Sequence, residues 1–124
     1  MSYVVKMRGV IIGRSALEHA DRTSRVASGV LRPGLGYDLV QPIFRLYAEA
    51  VPDADAPPRD DEKLQRYRAA VERLGLELFA RDGRRVETSS IHISDYVAER
   101  GSQALELEVV TDDAAFWAEH GGRA

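Results

Sequence analysis

One segment in the middle of the chain carries the pattern of an amphipathic helix, and strand-like sequence flanks it on both sides. Acidic side chains from Asp60 to Glu62 stand at the expected N-terminus of this helix, and Gly75 follows its last turn. Negative charge in a first turn and glycine after a last turn both favour a helix between them. Apolar side chains recur in the segment at helical spacing, at Leu64, Tyr67, Val71 and Leu74. The spacing predicts one central helix.

The first half of the chain predicts strands. Residues 3–14 are apolar on both alternating faces for part of their length, which is typical of a strand covered on both sides. Residues 26–31 and 37–51 predict two further strands, and the proline and glycines of residues 32–36 predict a hairpin turn between them. Pro42 has no amide hydrogen to donate, so its strand should lie at a sheet edge or carry a bulge.

The second half of the chain predicts further strands and a short terminal helix. Residues 76–80 and 85–97 predict another hairpin. Residues 104–110 alternate apolar and acidic side chains, as in a strand with one face in water. Thr111 is the expected cap of a short helix that runs to His120.

The order of these elements lacks the regular strand–helix alternation of parallel α/β folds. We therefore predict an α+β fold, in which a mainly antiparallel, curled sheet of about six strands packs on the central helix and a short C-terminal helix follows. Residues 52–60 are rich in proline and aspartate and predict an exposed loop between two β-rich halves. Residues 1–124 are expected to form one domain.

Composition excludes several classes of protein. The chain has no cysteine, which excludes disulfides, thiolate nucleophiles and cysteine-ligated metal centres. No apolar run approaches the roughly 20 residues that span a bilayer, and no secretory leader is recognisable, so we expect a cytoplasmic protein without a membrane partner. No cofactor is expected, because Gly34 and Gly36 are not followed by the Gly-Lys-Ser/Thr sequence of a phosphate loop.

The charge distribution argues against a nucleic-acid partner. Residues 1–47 carry seven Lys/Arg and three Asp/Glu, a balance of +4, whereas residues 48–124 carry ten and seventeen, a balance of −7. In a compact domain these halves attract each other rather than form a phosphate-binding field. Weak nucleic-acid binding through the arginine-rich hairpin tip is a third hypothesis. Its basic residues are Arg81, Arg84 and Arg85.

A polar row on one predicted strand supplies the catalytic candidates. Alternation within residues 85–97 puts one set of polar side chains on the same face. These are Ser90, His92, Ser94 and Tyr96. Histidine is the side chain whose ordinary pKa lies near neutrality, so His92 is the candidate general base, with Ser90 and Tyr96 as candidate partners. A face that lines a pocket would support catalysis, and a face in open solvent would not.

Two other sets of residues are candidate ligand sites. Arg32 and Tyr37 flank the predicted turn, and together with His92 they are candidates for holding a small anionic molecule. No metal motif such as His-Glu-x-x-His is present, so no bound metal is expected. The weak candidate donors, which are neighbours in the segment after the first strand, are Glu18, His19 and Asp21.

The strand predicted around Phe44 is the most apolar long strand in the chain. At a sheet edge this strand would expose apolar surface. We therefore expect a homo-oligomer, most simply a dimer that pairs through this strand. The alternative is that the strand is buried beneath the central helix. The leading functional hypothesis is a non-catalytic ligand-binding or regulatory interaction module that self-associates. The alternative is a small hydrolase- or isomerase-type enzyme with a polar pocket around His92.

Overall fold

A computed structural model describes residues 2–52 and 57–120 and has an α+β fold. Within those residues, nine strands form two antiparallel sheets, and four α-helices accompany them. The predicted fold class is confirmed. Two sheets take the place of the expected single sheet, and two helices of 14 residues take the place of one central helix. None of the described helices is long and apolar enough to cross a membrane.

The elements follow one another along the chain as short strands and two longer helices. The strands are β1 (Tyr3–Met7), β2 (Val10–Ser15), β3 (His19–Asp21), β4 (Val26–Val30), β5 (Arg32–Pro33), β6 (Leu76–Phe79), β7 (Arg85–Val86), β8 (Ser90–Asp95) and β9 (Leu105–Val110). The helices are α1 (Tyr37–Ala50), α2 (Asp61–Leu74), α3 (Val97–Arg100) and α4 (Ala114–His120), with a 3-10 turn at Ser102–Ala104. The first sheet has the order β5-β2-β1-β6-β7, and the second has the order β3-β4-β9-β8.

The single strand predicted over residues 3–14 is wrong, because the chain reverses within it. Arg8 and Gly9 form the turn between β1 and β2, with φ angles of 51° and 86°. A two-residue hairpin turn of this kind requires positive φ at both positions, which glycine adopts without strain. The segment that follows β2 contains β3, which pairs with β4.

The strand predicted over residues 37–51 is also wrong, and so is its hairpin with β4. This segment is α1, with Pro42 inside it. A proline within a helix removes one hydrogen bond and destabilises it. Burial of one helical face offsets that cost, and the buried side chains recur at helical spacing, at Tyr37, Val40, Phe44 and Ala48.

Both helices predicted in the second half are confirmed. The side chain of Asp60 caps α2 by accepting a hydrogen bond from the amide of Lys63 at 3.1 Å. The cap predicted for the terminal helix is wrong, however. The carboxylate of Asp113, rather than Thr111, accepts the hydrogen bond from the amide of Phe116 in the first turn of α4, at 3.1 Å.

Residues 85–97 form two strands rather than one, and this division produces the second sheet. β7 pairs with β6, which confirms the predicted hairpin, whereas β8 leaves that sheet and pairs with β9. In β9 the leucines and Val109 are buried and the glutamates are exposed, which confirms the predicted alternation.

One cluster of buried apolar side chains draws on both sheets and on α1, α2 and α4. The two long helices pack on each other, and α1 also packs on β8. Residues 53–56 of the predicted loop lie outside the described residues, and Pro57, Pro58 and Arg59 within it are exposed. The expectation of one domain stays a prediction.

Candidate functional site

A cleft of about 810 Å³ opens where the chain passes between the two sheets. Its walls come from the end of β2 and the loop after it, from the end of β4, from β5 and from the 3-10 turn. This volume lies in the range of small-molecule binding sites. The polar residues that line the cleft are Ser2, Arg14, Ser15, Glu18, Arg32 and Gln103.

Two arginines dominate the charge of this cleft. Arg14 and Arg32 stand directly opposite each other on β2 and β5, and both are exposed. Among the described residues, neither guanidinium forms an ion pair with a carboxylate. Like charges directly opposite on neighbouring strands repel each other, so the bare pair destabilises the sheet. A guanidinium also matches a carboxylate or phosphate through two parallel hydrogen bonds.

The loop between β2 and β3 is held in a strained conformation beside the arginines. Leu17 is fully buried and has a φ of 48°, in the left-handed region that bulky residues rarely adopt. Its amide donates to the hydroxyl of Ser15 at 3.1 Å, and its carbonyl accepts from Nε2 of His120 at 2.5 Å. The His120 ring packs against Phe116 in the same helix. The end of α4 therefore contacts the loop whose neighbouring residues Ala16 and Glu18 line the cleft.

The carboxylate of Glu18 is also fixed in the cleft. Its Oε2 accepts a hydrogen bond from the amide of Val30 at 3.2 Å. Gly29 makes room for this contact, because a Cβ at that position would lie 2.6 Å from Oε2 of Glu18 and 2.8 Å from the hydroxyl of Ser15. Glu18 is thus aimed at the backbone of β4 and forms no ion pair with Arg14 or Arg32.

His92 lies beneath the two long helices rather than on an open face. Its Nδ1 is hydrogen-bonded to the hydroxyl of Tyr67, and its Nε2 lies 3.0 Å from the hydroxyl of Ser94. The ring of Tyr47 packs edge-on against the imidazole, with the ring centroids 4.5 Å apart. Burial lowers the pKa of His92 below its ordinary value. The imidazole therefore favours its neutral form.

The other catalytic candidates make different contacts from His92. Ser90 is exposed at the start of β8. The hydroxyl of Tyr96 donates to the backbone carbonyl of Val51. The side chains that contact the imidazole are instead Tyr67 and Tyr47, and Ser94 is the one member of the predicted row that contacts it. The tyrosines belong to α2 and α1, so their approach follows from tertiary packing.

The ligand candidate Tyr37 is separated from Arg32. Tyr37 is buried at the start of α1, where its hydroxyl donates to the carboxyl group of Asp95 at 2.6 Å. Burial and this hydrogen bond raise the pKa of Tyr37. Arg45 reinforces the same junction by donating to the Asp95 carbonyl at 2.8 Å and pairing with Glu99 at 2.7 Å. Of the three predicted ligand residues, Arg32 alone lines the cleft.

The weak metal candidates do not converge on one point. Glu18 binds the backbone of β4, and Asp21 accepts from the amide of Thr23 at 3.0 Å. His19 is exposed on β3. Across the part of the chain that the structure describes, no three histidine, cysteine or acidic side chains come together as a metal site.

The arginine-rich hairpin tip is partly neutralised by neighbouring acids. Arg84 pairs with Asp113 at 3.5 Å, and Arg85 pairs with Glu77 at 3.2 Å. Arg81 lines a second, shallower cleft of about 430 Å³ together with the acidic residues Asp82 and Glu119. These acids weaken the positive field that nucleic-acid binding needs.

No protein-family model, curated protein or solved structure matches this chain. Arg14 and Leu17 are not among the site residues that the sequence predicts. Arg14 carried one signal, since it interrupts an otherwise apolar strand, but its pairing with Arg32 depends on the fold.

Proposed function

We propose that this chain is a non-catalytic binding module for a small molecule that carries a phosphate or carboxylate group. That group binds between Arg14 and Arg32. The observation that carries the proposal is that Arg14 and Arg32 are cross-strand neighbours on β2 and β5, that both line the cleft, and that neither has a carboxylate partner among the described residues. A bound anion converts their repulsion into two charge-assisted hydrogen-bonded contacts.

The rest of the cleft supports a small ligand rather than a macromolecule. Its volume of about 810 Å³ suits a metabolite-sized molecule. The strained loop at Leu17 is held from both sides, which keeps the wall in one conformation before the ligand arrives. A site fixed in this way loses little conformational entropy on binding.

Calorimetric titration with inorganic phosphate and with acetate tests the proposal. Binding should weaken about tenfold or more in Arg14→Gln and in Arg32→Gln, because each loses a charge-assisted contact. Arg68→Gln is the matched control, since Arg68 is exposed on α2, outside the cleft, and lacks an ion pair within the described residues. Equal loss in all three variants would refute the proposal, and so would absence of binding by the wild type both to these anions and to anions that also carry an ammonium group.

A second candidate function is the small enzyme centred on His92. It is favoured by the hydrogen-bonded chain Ser94–His92–Tyr67, which has the order of nucleophile, base and orienting group. It ranks second because the clefts of about 810 and 430 Å³ are both lined by other residues. A fluorophosphonate probe that labels the wild type but not Ser94→Ala would favour it over the binding module.

Self-association and a cytoplasmic location stay predictions. The interface proposed for the dimer must change, because Phe44 is fully buried in α1 instead of lying on an edge strand. Val10, Leu35 and Leu39 are exposed apolar side chains, and Leu35 is fully exposed. Light scattering over a range of concentrations tests self-association, and a monomer at every concentration would remove it from the proposal.

A further inference from the structure

Glu18 places a negative charge in the same cleft as the two arginines. Its Oε2 is engaged by the amide of Val30, whereas its Oε1 has no hydrogen-bond partner among the described residues. The carboxylate of Glu18 lies so close to the backbone at Gly29 that it cannot move further in that direction. The cleft therefore presents two cationic groups and one anionic group that form no ion pair with one another.

A plain anion gains from the arginines but is repelled by Glu18. A ligand that also carries an ammonium group avoids this penalty, because the ammonium can donate to the free oxygen of Glu18. A metal ion is a poorer match for the same carboxylate. No second and third metal ligands accompany Glu18 within the described residues, and the neighbouring guanidinium groups of Arg14 and Arg32 repel a metal cation.

We propose that the ligand of this cleft is a small zwitterion, with its anionic group between Arg14 and Arg32 and its ammonium group on Glu18. This inference rests on the proposed function and narrows it to one chemical class. Amino acids and amino-alkyl phosphates belong to that class. Ser2 and Gln103 line the same cleft and provide neutral polar groups beside the charged ones.

The experiment compares two matched pairs of probes by calorimetry. The first pair is butyrate and γ-aminobutyrate, and the second is ethyl phosphate and phosphoethanolamine. The wild type should bind the aminated member of at least one pair about tenfold more tightly than the plain anion. In Glu18→Gln this preference should disappear, and the plain anion should bind as tightly as before or more tightly. Gln can still accept from the amide of Val30, so the loop is expected to keep its shape.

The outcomes separate this inference from the proposed function. If the wild type binds none of the four probes, both fail. If it binds plain anions at least as tightly as their aminated partners, the zwitterion is refuted and the anion site stands. Loss of the preference in Arg68→Gln as well as in Glu18→Gln would also refute the role of Glu18. The wild-type comparison decides the question even if Glu18→Gln fails to fold.

Discussion

Replacing Tyr37 with phenylalanine removes one hydroxyl from the junction between α1 and β8. Tyr37 is 4% exposed and Asp95 is 1% exposed, and the bond between them is 2.6 Å long. The second oxygen of Asp95 accepts from the amide of Val97 at 3.2 Å and does not replace the lost donor. The variant therefore leaves a buried carboxyl oxygen without its partner.

The expected loss in the free energy of unfolding is about 2 kcal/mol. Hydrogen bonds to charged groups contribute about 1.5–3 kcal/mol, and an unsatisfied buried polar group costs about 1–3 kcal/mol. Urea denaturation followed by circular dichroism measures this loss. The slope of the free energy of unfolding against urea concentration should not change, because the variant exposes the same area on unfolding.

Tyr47→Phe is the matched control. Its ring packs against His92 and Tyr67, as the Tyr37 ring stacks on Phe44, but its hydroxyl makes no hydrogen bond within the described residues. We expect this variant to change stability by less than about 0.5 kcal/mol. If Tyr37→Phe loses no more stability than Tyr47→Phe, the hydrogen bond to Asp95 does not stabilise the junction as argued.

Burial lowers the pKa of His92, so the unfolded chain takes up a proton before the folded protein does as the pH falls below about 6.5. The free energy of unfolding should therefore decrease between pH 7 and pH 5. In His92→Gln this dependence on pH, measured by urea titration, should be smaller. His120→Phe keeps an aromatic ring but loses the donor to Leu17, so stability should fall by about 1 kcal/mol and hydrogen exchange at the Leu17 amide should accelerate; unchanged exchange would contradict the anchoring role. Arg14→Gln should stabilise the ligand-free protein by about 0.5 kcal/mol because it removes like-charge repulsion, whereas Arg68→Gln should leave the melting temperature nearly unchanged.

The elements that could be predicted from the sequence are those whose signals are local. α2 carries its acidic first turn, its apolar face and its terminating glycine within one continuous segment. β9 carries its alternation in the same way. In both α2 and β9, the spacing of apolar residues within the segment is enough to indicate the secondary structure, whichever element the segment packs against.

The sequence of α1 predicts a strand because its apolar residues are dense enough to fit both the helical and the strand period. Phe44 and Leu46 alternate as in a strand, and Pro42 argues against a helix interior. The deciding feature is the face formed by Val40, Phe44 and Ala48, which are four residues apart and buried together. Because α1 has apolar residues on more than one face, its packing against α2 and β8 determines which face is buried.

The candidate cleft cannot be predicted from local sequence patterns, because the topology brings its residues together. Arg14 and Arg32 are opposed only because the chain leaves the first sheet, forms the β3–β4 hairpin in the second, and returns as β5 beside β2. The strain at Leu17 has no signature in sequence, since leucine does not favour a left-handed conformation. Arg32 is among the residues that the sequence predicts for a ligand site, whereas Arg14 is not.

The same topology would couple binding of the proposed ligand to the junction between the two sheets. Arg14 and Arg32 belong to the first sheet, whereas Glu18 is bonded to β4 of the second. A zwitterion that engages all three side chains therefore connects the two sheets across the cleft, and it can do so only while both are folded. A ligand that binds only the folded state stabilises it by about 2.7 kcal/mol at one hundred times its dissociation constant. A rise in melting temperature that depends on Arg14, Arg32 and Glu18 together would identify the bridging ligand, whereas a plain anion should require only the two arginines.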